Sequence, residues 1–211
     1  MINADPLKNI RVVLTQPSHP GNIGASARAM KTMGLDALYL VNPRQFPHAE
    51  ADARATSAID VLMQARVCGS ITEALEGCVL AVAASGRHRE LRHETRTVRE
   101  VARELLEQAA SHPVAIVFGN ETAGLTIEEA GHCQLWAHIP AHAEYGSLNL
   151  AAAVQVFAYE LRMGLPLAAT PPAEEFAPAT LAQVEQLRAH FELSMRTTGF
   201  LDPANSKRLL R

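Results

Sequence analysis

Three short polar segments carry the side chains of this chain best suited to gripping a small ligand. The first is Gly21-Asn22-Ile23-Gly24-Ala25-Ser26-Ala27-Arg28. Asn22 can cap a helix, the small residues at Gly24, Ala25 and Ala27 permit close approach, and Arg28, about a turn and a half on, can aim a planar cation at a phosphate. The second, Phe118-Gly119-Asn120-Glu121-Thr122-Ala123-Gly124-Leu125, directly follows the apolar run Val114-Ala115-Ile116-Val117. Gly119 and Gly124 there allow close backbone approach or a positive φ. The third is Ile139-Pro140 followed by Glu144-Tyr145-Gly146-Ser147-Leu148-Asn149-Leu150. Taken singly, these read equally well as a capped helix with a surface arginine, a strand-to-helix connection and a loop. Together they supply donors and acceptors without a charged nucleophile. That chemistry suits holding an adenosine-like ligand by its edges rather than attacking it.

The elements that must position these segments follow from hydrophobic periodicity. Short apolar runs predict strands over 10–15, 37–41, 78–84, 114–119 and 134–139, with a weaker one over 66–68. Helical spacing predicts helices over 23–33, 49–64, 97–110 and 147–163. Strands alternating with amphipathic helices indicate an α/β fold with a largely parallel sheet flanked by helices. Ligands of such sheets sit at the carboxyl ends of the strands, where the polar segments fall. The last of these helices is apolar on nearly all sides, so it is expected to be buried against the sheet or a second subunit.

Composition narrows the function classes. The 211 residues are 48% hydrophobic with a formal charge of −3, enough apolar surface for a sizeable core and no overall basic coat. No stretch reaches the ~20 apolar residues of a membrane span and the start of the chain lacks a secretory pattern, so a cytoplasmic protein is expected. Cys68, Cys78 and Cys133 are odd in number and form no Cys-x-x-Cys pair, and the nine histidines lack zinc-type spacing with carboxylates. Neither a disulfide framework nor a metal is expected. Residues 87–99 concentrate five arginines, among them Arg87, Arg89 and Arg92, against two glutamates. This run is either a solvated surface or a grip for an anionic partner.

Beyond residue 164 the composition changes. Residues 165–178 hold four prolines and read as a linker between a catalytic domain, 1–164, and a helical extension, 179–211. Leu181, Val184, Leu187, Phe191 and Met195 recur at helical spacing up to Gly199. The chain closes on Lys207-Arg208-Leu209-Leu210-Arg211 with no stop signal, so the extension is expected to be truncated.

The order Asn22-x-Gly24-x-x-x-Arg28, then Phe118-Gly119-Asn120-Glu121-x-x-Gly124-Leu125, then Ile139-Pro140 with Ser147-Leu148-Asn149-Leu150-Ala151, resembles three signatures of a known family. These are the motifs of the SpoU/TrmH branch of the SPOUT RNA 2′-O-ribose methyltransferases, and the resemblance spans about residues 10–163. Within the branch, Ser18-His19-Pro20 and the residues through Leu35, with Phe46-Pro47 and Ala58-Ile59-Asp60-Val61-Leu62, are similar to the group that methylates nucleotide 32 of the tRNA anticodon loop.

The resemblance implies a C-terminal trefoil knot, a homodimer, a tRNA substrate and S-adenosylmethionine as cofactor. It implies that Ala84, Ser85, Gly86, Gly119, Ile139, Gly146, Ser147 and Leu148 hold that cofactor. Arg28 is expected to bind the phosphate beside the target ribose and stabilise the developing alkoxide, with phosphate or water taking the proton. Asn22, Glu121, Ser147 and Asn149 complete the expected catalytic group, and Arg87, Arg89 and Arg92 the RNA grip. Two rivals are a non-catalytic RNA-binding module, against which all three motifs are intact, and a dinucleotide-binding dehydrogenase. The latter requires Gly-x-Gly-x-x-Gly spacing, which Gly21-Asn22-Ile23-Gly24 does not supply. A further alternative within the family is another tRNA or rRNA position.

Overall fold

Short aliphatic runs separated by amphipathic ones fold as alternating strands and helices in the computed structural model, which describes residues 5–85, 95–142, 144–165 and 179–200. In chain order the elements are β1 (Ile10–Thr15), α1 (Pro20–Met33), β2 (Ala37–Val41), α2 (Ala49–Ala55), α3 (Ile59–Met63), β3 (Arg66–Cys68), α4 (Ile71–Ala74) and β4 (Leu80–Ala84). There follow β5 (Thr95–Thr97), α5 (Val98–Ala109), β6 (Val114–Phe118), α6 (Ile127–Gly131), β7 (Leu135–His138) and α7 (Leu150–Gly164).

All seven strands join one sheet in the order β3-β2-β1-β6-β4-β7-β5, and every pairing is parallel. The chain winds outward from β1 to β3, crosses back to β4, and later inserts β6 between β1 and β4. Parallel pairing puts all carboxyl ends on one edge, so the polar segments after β1, β4, β6 and β7 are brought to that edge together. The register is close: Phe118 stands opposite both Leu14 and Ala84.

Strand alternation divides the core. Val114, Ile116 and Phe118 of β6 face the larger cluster under α1, α2, α3, α5 and α7, while Ala115 and Val117 face the smaller cluster that includes residues of α4 and α6. Small and β-branched residues suit a strand buried on both faces.

Several expected elements differ in detail. The first helix begins at Pro20 rather than Ile23, because proline at the first helical position has its φ preset and needs no amide partner. The expected helix over 49–64 breaks at Thr56, whose φ is 51°, into α2, a 3-10 turn and α3. β5, α4 and α6, three to five residues each, were not expected, being too short to show a period. Helix α7 starts at Leu150 rather than Ser147, because the Asn149 side chain accepts from the amides of Ala151 and Ala152 and caps it there. It buries Leu150, Ala151, Val154, Phe157, Ala158 and Leu161 and leaves Tyr159 and Met163 exposed.

The chain divides into two compact units, 1–167 and 168–211. Within the second, α8 (Leu181–Thr197) opens on a capping box of Thr180 and Gln183, and carries Val184, Leu187, Phe191 and Met195 along one stripe.

Candidate functional site

The carboxyl edge of the sheet opens into a cavity of about 570 Å³. His19 and Asn22 line it after β1, Ala84 and Ser85 after β4, Phe118, Gly119, Asn120, Glu121, Thr122 and Gly124 at the β6 turn, and Ile139 after β7. Gly146, Ser147, Leu148 and Asn149, with Leu150, Ala153 and Phe157 of α7, form the rest of the wall. Phe118 and Phe157 meet edge to face with ring centres 5.2 Å apart, which locks α7 against β6 beneath the site.

The β6 turn is built on Asn120. Its side-chain amide donates to the Gln16 carbonyl at 2.7 Å, its side-chain oxygen accepts from the Thr122 amide at 2.9 Å, and its own carbonyl accepts from Gly124 at 2.8 Å. Gly124 has a φ of 70°, and Gly119 answers a different need. A Cβ on Gly119 would lie 2.1 Å from both the Gly124 carbonyl carbon and the Leu125 nitrogen, so the turn closes against a residue with no side chain. Gly24 is likewise approached by backbone, since a Cβ there would lie 2.0 Å from the Ala51 oxygen. Its small size therefore serves the packing of α1 on α2, not a ligand.

One chain of hydrogen bonds joins the three polar segments. The Asn149 oxygen accepts from the first amides of α7, so its Nδ2 is left to donate, at 2.9 Å, to Asn22 Oδ1. Asn22 Nδ2 donates in turn to Glu121 Oε1 at 2.9 Å. Ser18 donates to Glu121 Oε2 through both its amide, at 2.9 Å, and its hydroxyl, at 2.7 Å, and the His19 amide reaches Oε1 at 3.3 Å. The chain is polarised: helix amides fix its direction at one end and a carboxylate terminates it at the other. Asn22 is thus a bridge inside α1 rather than the expected cap, a position that belongs to His19.

Burial by itself would raise the Glu121 pKa, but the donors from Asn22, the Ser18 amide and hydroxyl, and its own amide outweigh it and bring the group down from 4.5 to about 2. A depressed carboxyl contributes stability that is full above its ordinary pKa and is lost as pH falls through the folded value. Glu121→Gln is therefore expected to cost about 1–2 kcal/mol near neutral pH, allowing for partial exposure. The difference from the unmodified protein should shrink below pH 4.5 and go on shrinking towards about 2. Chemical denaturation of both proteins across that range is the measurement. A constant difference would show that the carboxylate charge contributes nothing.

Of the expected catalytic group, Asn22, Glu121, Ser147 and Asn149 all line the cavity; Arg28 does not, and lies exposed on α1 beyond Asn22. Of the expected cofactor group, Ala84, Ser85, Gly119, Ile139, Gly146, Ser147 and Leu148 line it. Gly86, Arg87, Arg89 and Arg92 lie outside the described residues. Arg96, a further arginine of that basic run, sits in β5 and pairs with Glu104 at 2.9 Å. Ser18, His19 and Asn120 were not singled out for a role, although all three lie inside the quoted motifs. Their nearness in the chain to Gly21 and Gly119, one to three positions away, was the signal available.

Residues 9–159 match the SpoU rRNA Methylase family. The chain is 46% identical to the tRNA (cytidine/uridine/adenosine-2′-O-)-methyltransferase TrmJ of Pseudomonas aeruginosa, across 97% of this chain and 84% of that protein. Its fold matches the crystal structure of TrmJ from Z. mobilis ZM4 with a TM-score of 0.70 at 32% identity, covering 95% of this chain and 86% of that one. It matches the AdoMet-bound rRNA methyltransferase from Sinorhizobium meliloti with a TM-score of 0.57 at 26% identity, covering 74% and 56%. Parallel sheet, convergent strand-end segments and these likenesses agree, and the chain belongs to the SpoU methylase family, among its TrmJ relatives.

Proposed function

We propose that this protein is an S-adenosylmethionine-dependent methyltransferase acting on the 2′-hydroxyl of nucleotide 32 in the tRNA anticodon loop. The observation that carries this reading is the polarised Asn149–Asn22–Glu121 chain, which ties the three motifs round one cavity. The TrmJ relatives support tRNA as the substrate.

The cavity suits the cofactor. Its volume is in the range of small-molecule sites, and its wall mixes apolar Ile139, Leu148 and Phe157 with the hydroxyls of Ser85 and Ser147. Turn backbone at Gly119 and Gly146 completes a cradle able to satisfy an adenosine and an amino acid. Ala84, Ser85, Gly119, Ile139, Gly146, Ser147 and Leu148 are the residues proposed to hold it, and Gly86 is proposed with them from the family resemblance. S-adenosylmethionine supplies an electrophilic methyl group.

The protein's own tasks are alignment and charge. Glu121, held as an anion by four donors, fixes the Asn22 amide, and Asn22 with Asn149 holds the wall that faces the ribose. Arg28 remains a guanidinium, suited to the phosphate beside the target ribose and to the developing alkoxide. Its exposed position outside the cavity lining supports a role met from the RNA side, or across a homodimer. Exposed Tyr159 and Met163 on α7 support that homodimer. The trefoil threading, a linker over 165–178, RNA contacts by Arg87, Arg89 and Arg92, and a metal-free cytoplasmic enzyme complete the proposal. No helix among the described residues is long and apolar enough to cross a membrane, and none of their His, Cys, Asp and Glu side chains gather in a metal-binding group.

The test is calorimetry with S-adenosylmethionine, followed by mapping of 2′-O-methyl groups on unmodified tRNA. Binding and a single new methyl at nucleotide 32 are expected. A methyl at another tRNA position or on rRNA would overturn the position, and absence of cofactor binding the activity. Arg28→Ala should lower turnover at saturating tRNA by about 10²–10³-fold while changing cofactor affinity less than about twofold. Near-normal turnover would remove Arg28 from the mechanism.

A further inference from the structure

We infer that His19 is the proton acceptor of the reaction, its imidazole taking the proton of the ribose 2′-hydroxyl. The inference rests on the methyltransferase reading above and names a group in place of phosphate or water. Among the described residues lining the cavity, only two carry an acidic or basic side chain, His19 and Glu121. Glu121 is spent: its two oxygens accept from Ser18, His19 and Asn22, and with a pKa of about 2 it is a poor base. His19 is placed in the opposite way. Its amide is bound to Glu121 at 3.3 Å and its carbonyl accepts from the Asn22 amide at 3.0 Å, so the backbone is held on both sides. Its ring, although at the cap position of α1, makes no capping bond, and stands exposed at the cavity rim. Among the described residues, Glu121 of the β6 turn accepts from its amide, and Glu50 and Arg54 of α2 lie against Gly21, two residues on. Imidazole is the side chain whose ordinary proton affinity lies nearest neutrality, which suits general base work at the pH of a cell.

The step balances. The 2′-oxygen gives its proton to an imidazole nitrogen and forms the new bond to methyl carbon. The carbon–sulfur bond breaks with its electron pair staying on sulfur, and the imidazolium later returns the proton to water.

His19→Asn is the informative variant, because asparagine is a better helix cap than histidine and should preserve the fold. Single-turnover methylation of tRNA at neutral pH is expected to fall about 10²-fold, with cofactor and tRNA affinities changed less than about threefold. The unmodified enzyme should speed up from acid to neutral pH and then level, whereas the variant should lose that levelling. Added imidazole should restore part of the rate of His19→Ala. In NMR spectra of the full chain, the His19 ring resonances should move when tRNA binds. A rate for His19→Asn within about threefold of normal, or an unchanged pH profile, overturns the assignment and leaves the proton to water or phosphate. Failure of the unmodified protein to transfer methyl at all is a separate result, and overturns both readings.

Discussion

Replacing Gly119 with alanine is expected to cost about 3 kcal/mol of stability and to weaken S-adenosylmethionine binding by more than about 100-fold. The added Cβ would stand 2.1 Å from two backbone atoms of the Gly124–Leu125 peptide, and backbone yields less readily than a side-chain tip. That peptide cannot retreat freely. It is tied through the Gly124 amide to Asn120, and Asn120 is tied through its side chain to Gln16 at the end of β1. The turn must therefore open, and with it the part of the cavity formed by Gly119, Asn120 and Glu121. Gly124→Ala is the control, since no atom lies within 4 Å of its Cβ and only the φ of 70° opposes it. Its cost is expected to be about 1 kcal/mol, the ordinary penalty for a left-handed residue. Denaturant unfolding and calorimetry on both variants decide the matter. Equal losses would mean that conformation, not close approach, selects glycine at Gly119.

Asn22→Asp, a change of one atom type, should be nearly as damaging. Asn149 must donate to residue 22, because the Asn149 oxygen is already occupied by the amides of Ala151 and Ala152. Residue 22 must therefore donate to Glu121, and a carboxylate cannot. Instead it would set two carboxylates at the 2.9 Å now spanned by a hydrogen bond. A loss of about 2–3 kcal/mol at neutral pH and about 10³-fold in turnover is expected. Repulsion and partial burial raise the folded pKa of the introduced carboxyl above its unfolded value. Its penalty is therefore full above the folded pKa and relieved as pH falls below it. Asn22→Ala supplies the contrast, with a cost of about 1–2 kcal/mol and no comparable recovery on mild acidification. Stability of the two variants between about pH 5 and 8 separates charge from a lost hydrogen bond. Identical pH trends would show that the direction of the Asn149–Asn22–Glu121 chain is unimportant.

Much of this site could be anticipated because its parts are local. The run Val114–Phe118 is a buried strand on residue type alone, and glycines after it mark a turn wherever it lies in space. The helices near 97 and 147 were predicted within three residues of their starts, since helical spacing is a property of near neighbours along the chain. Alternation of strands and helices likewise predicts a parallel sheet whose strand ends share an edge.

Other features depended on contacts between residues from 27 to 99 positions apart. The bond from Asn22 to Glu121 exists because β6 is inserted beside β1, and nothing in either segment encodes that neighbour. Asn22 by its type is a cap; it becomes a bridge because Pro20 starts the helix earlier and the β6 turn arrives with a carboxylate. Gly24 looks like room for a ligand until α2 is found lying on it. Arg28 stands outside the cavity lining because helical phase turns it away from Asn22, a relation that matters only once the cavity has a direction. Chain-local preferences, each decided by a few dihedral angles and near neighbours, thus set the strands, turns and caps. Strand order, close backbone approach and the polarity of the hydrogen-bond chain were settled by packing distant segments together, where one geometry pairs Asn149, Asn22 and Glu121 at once.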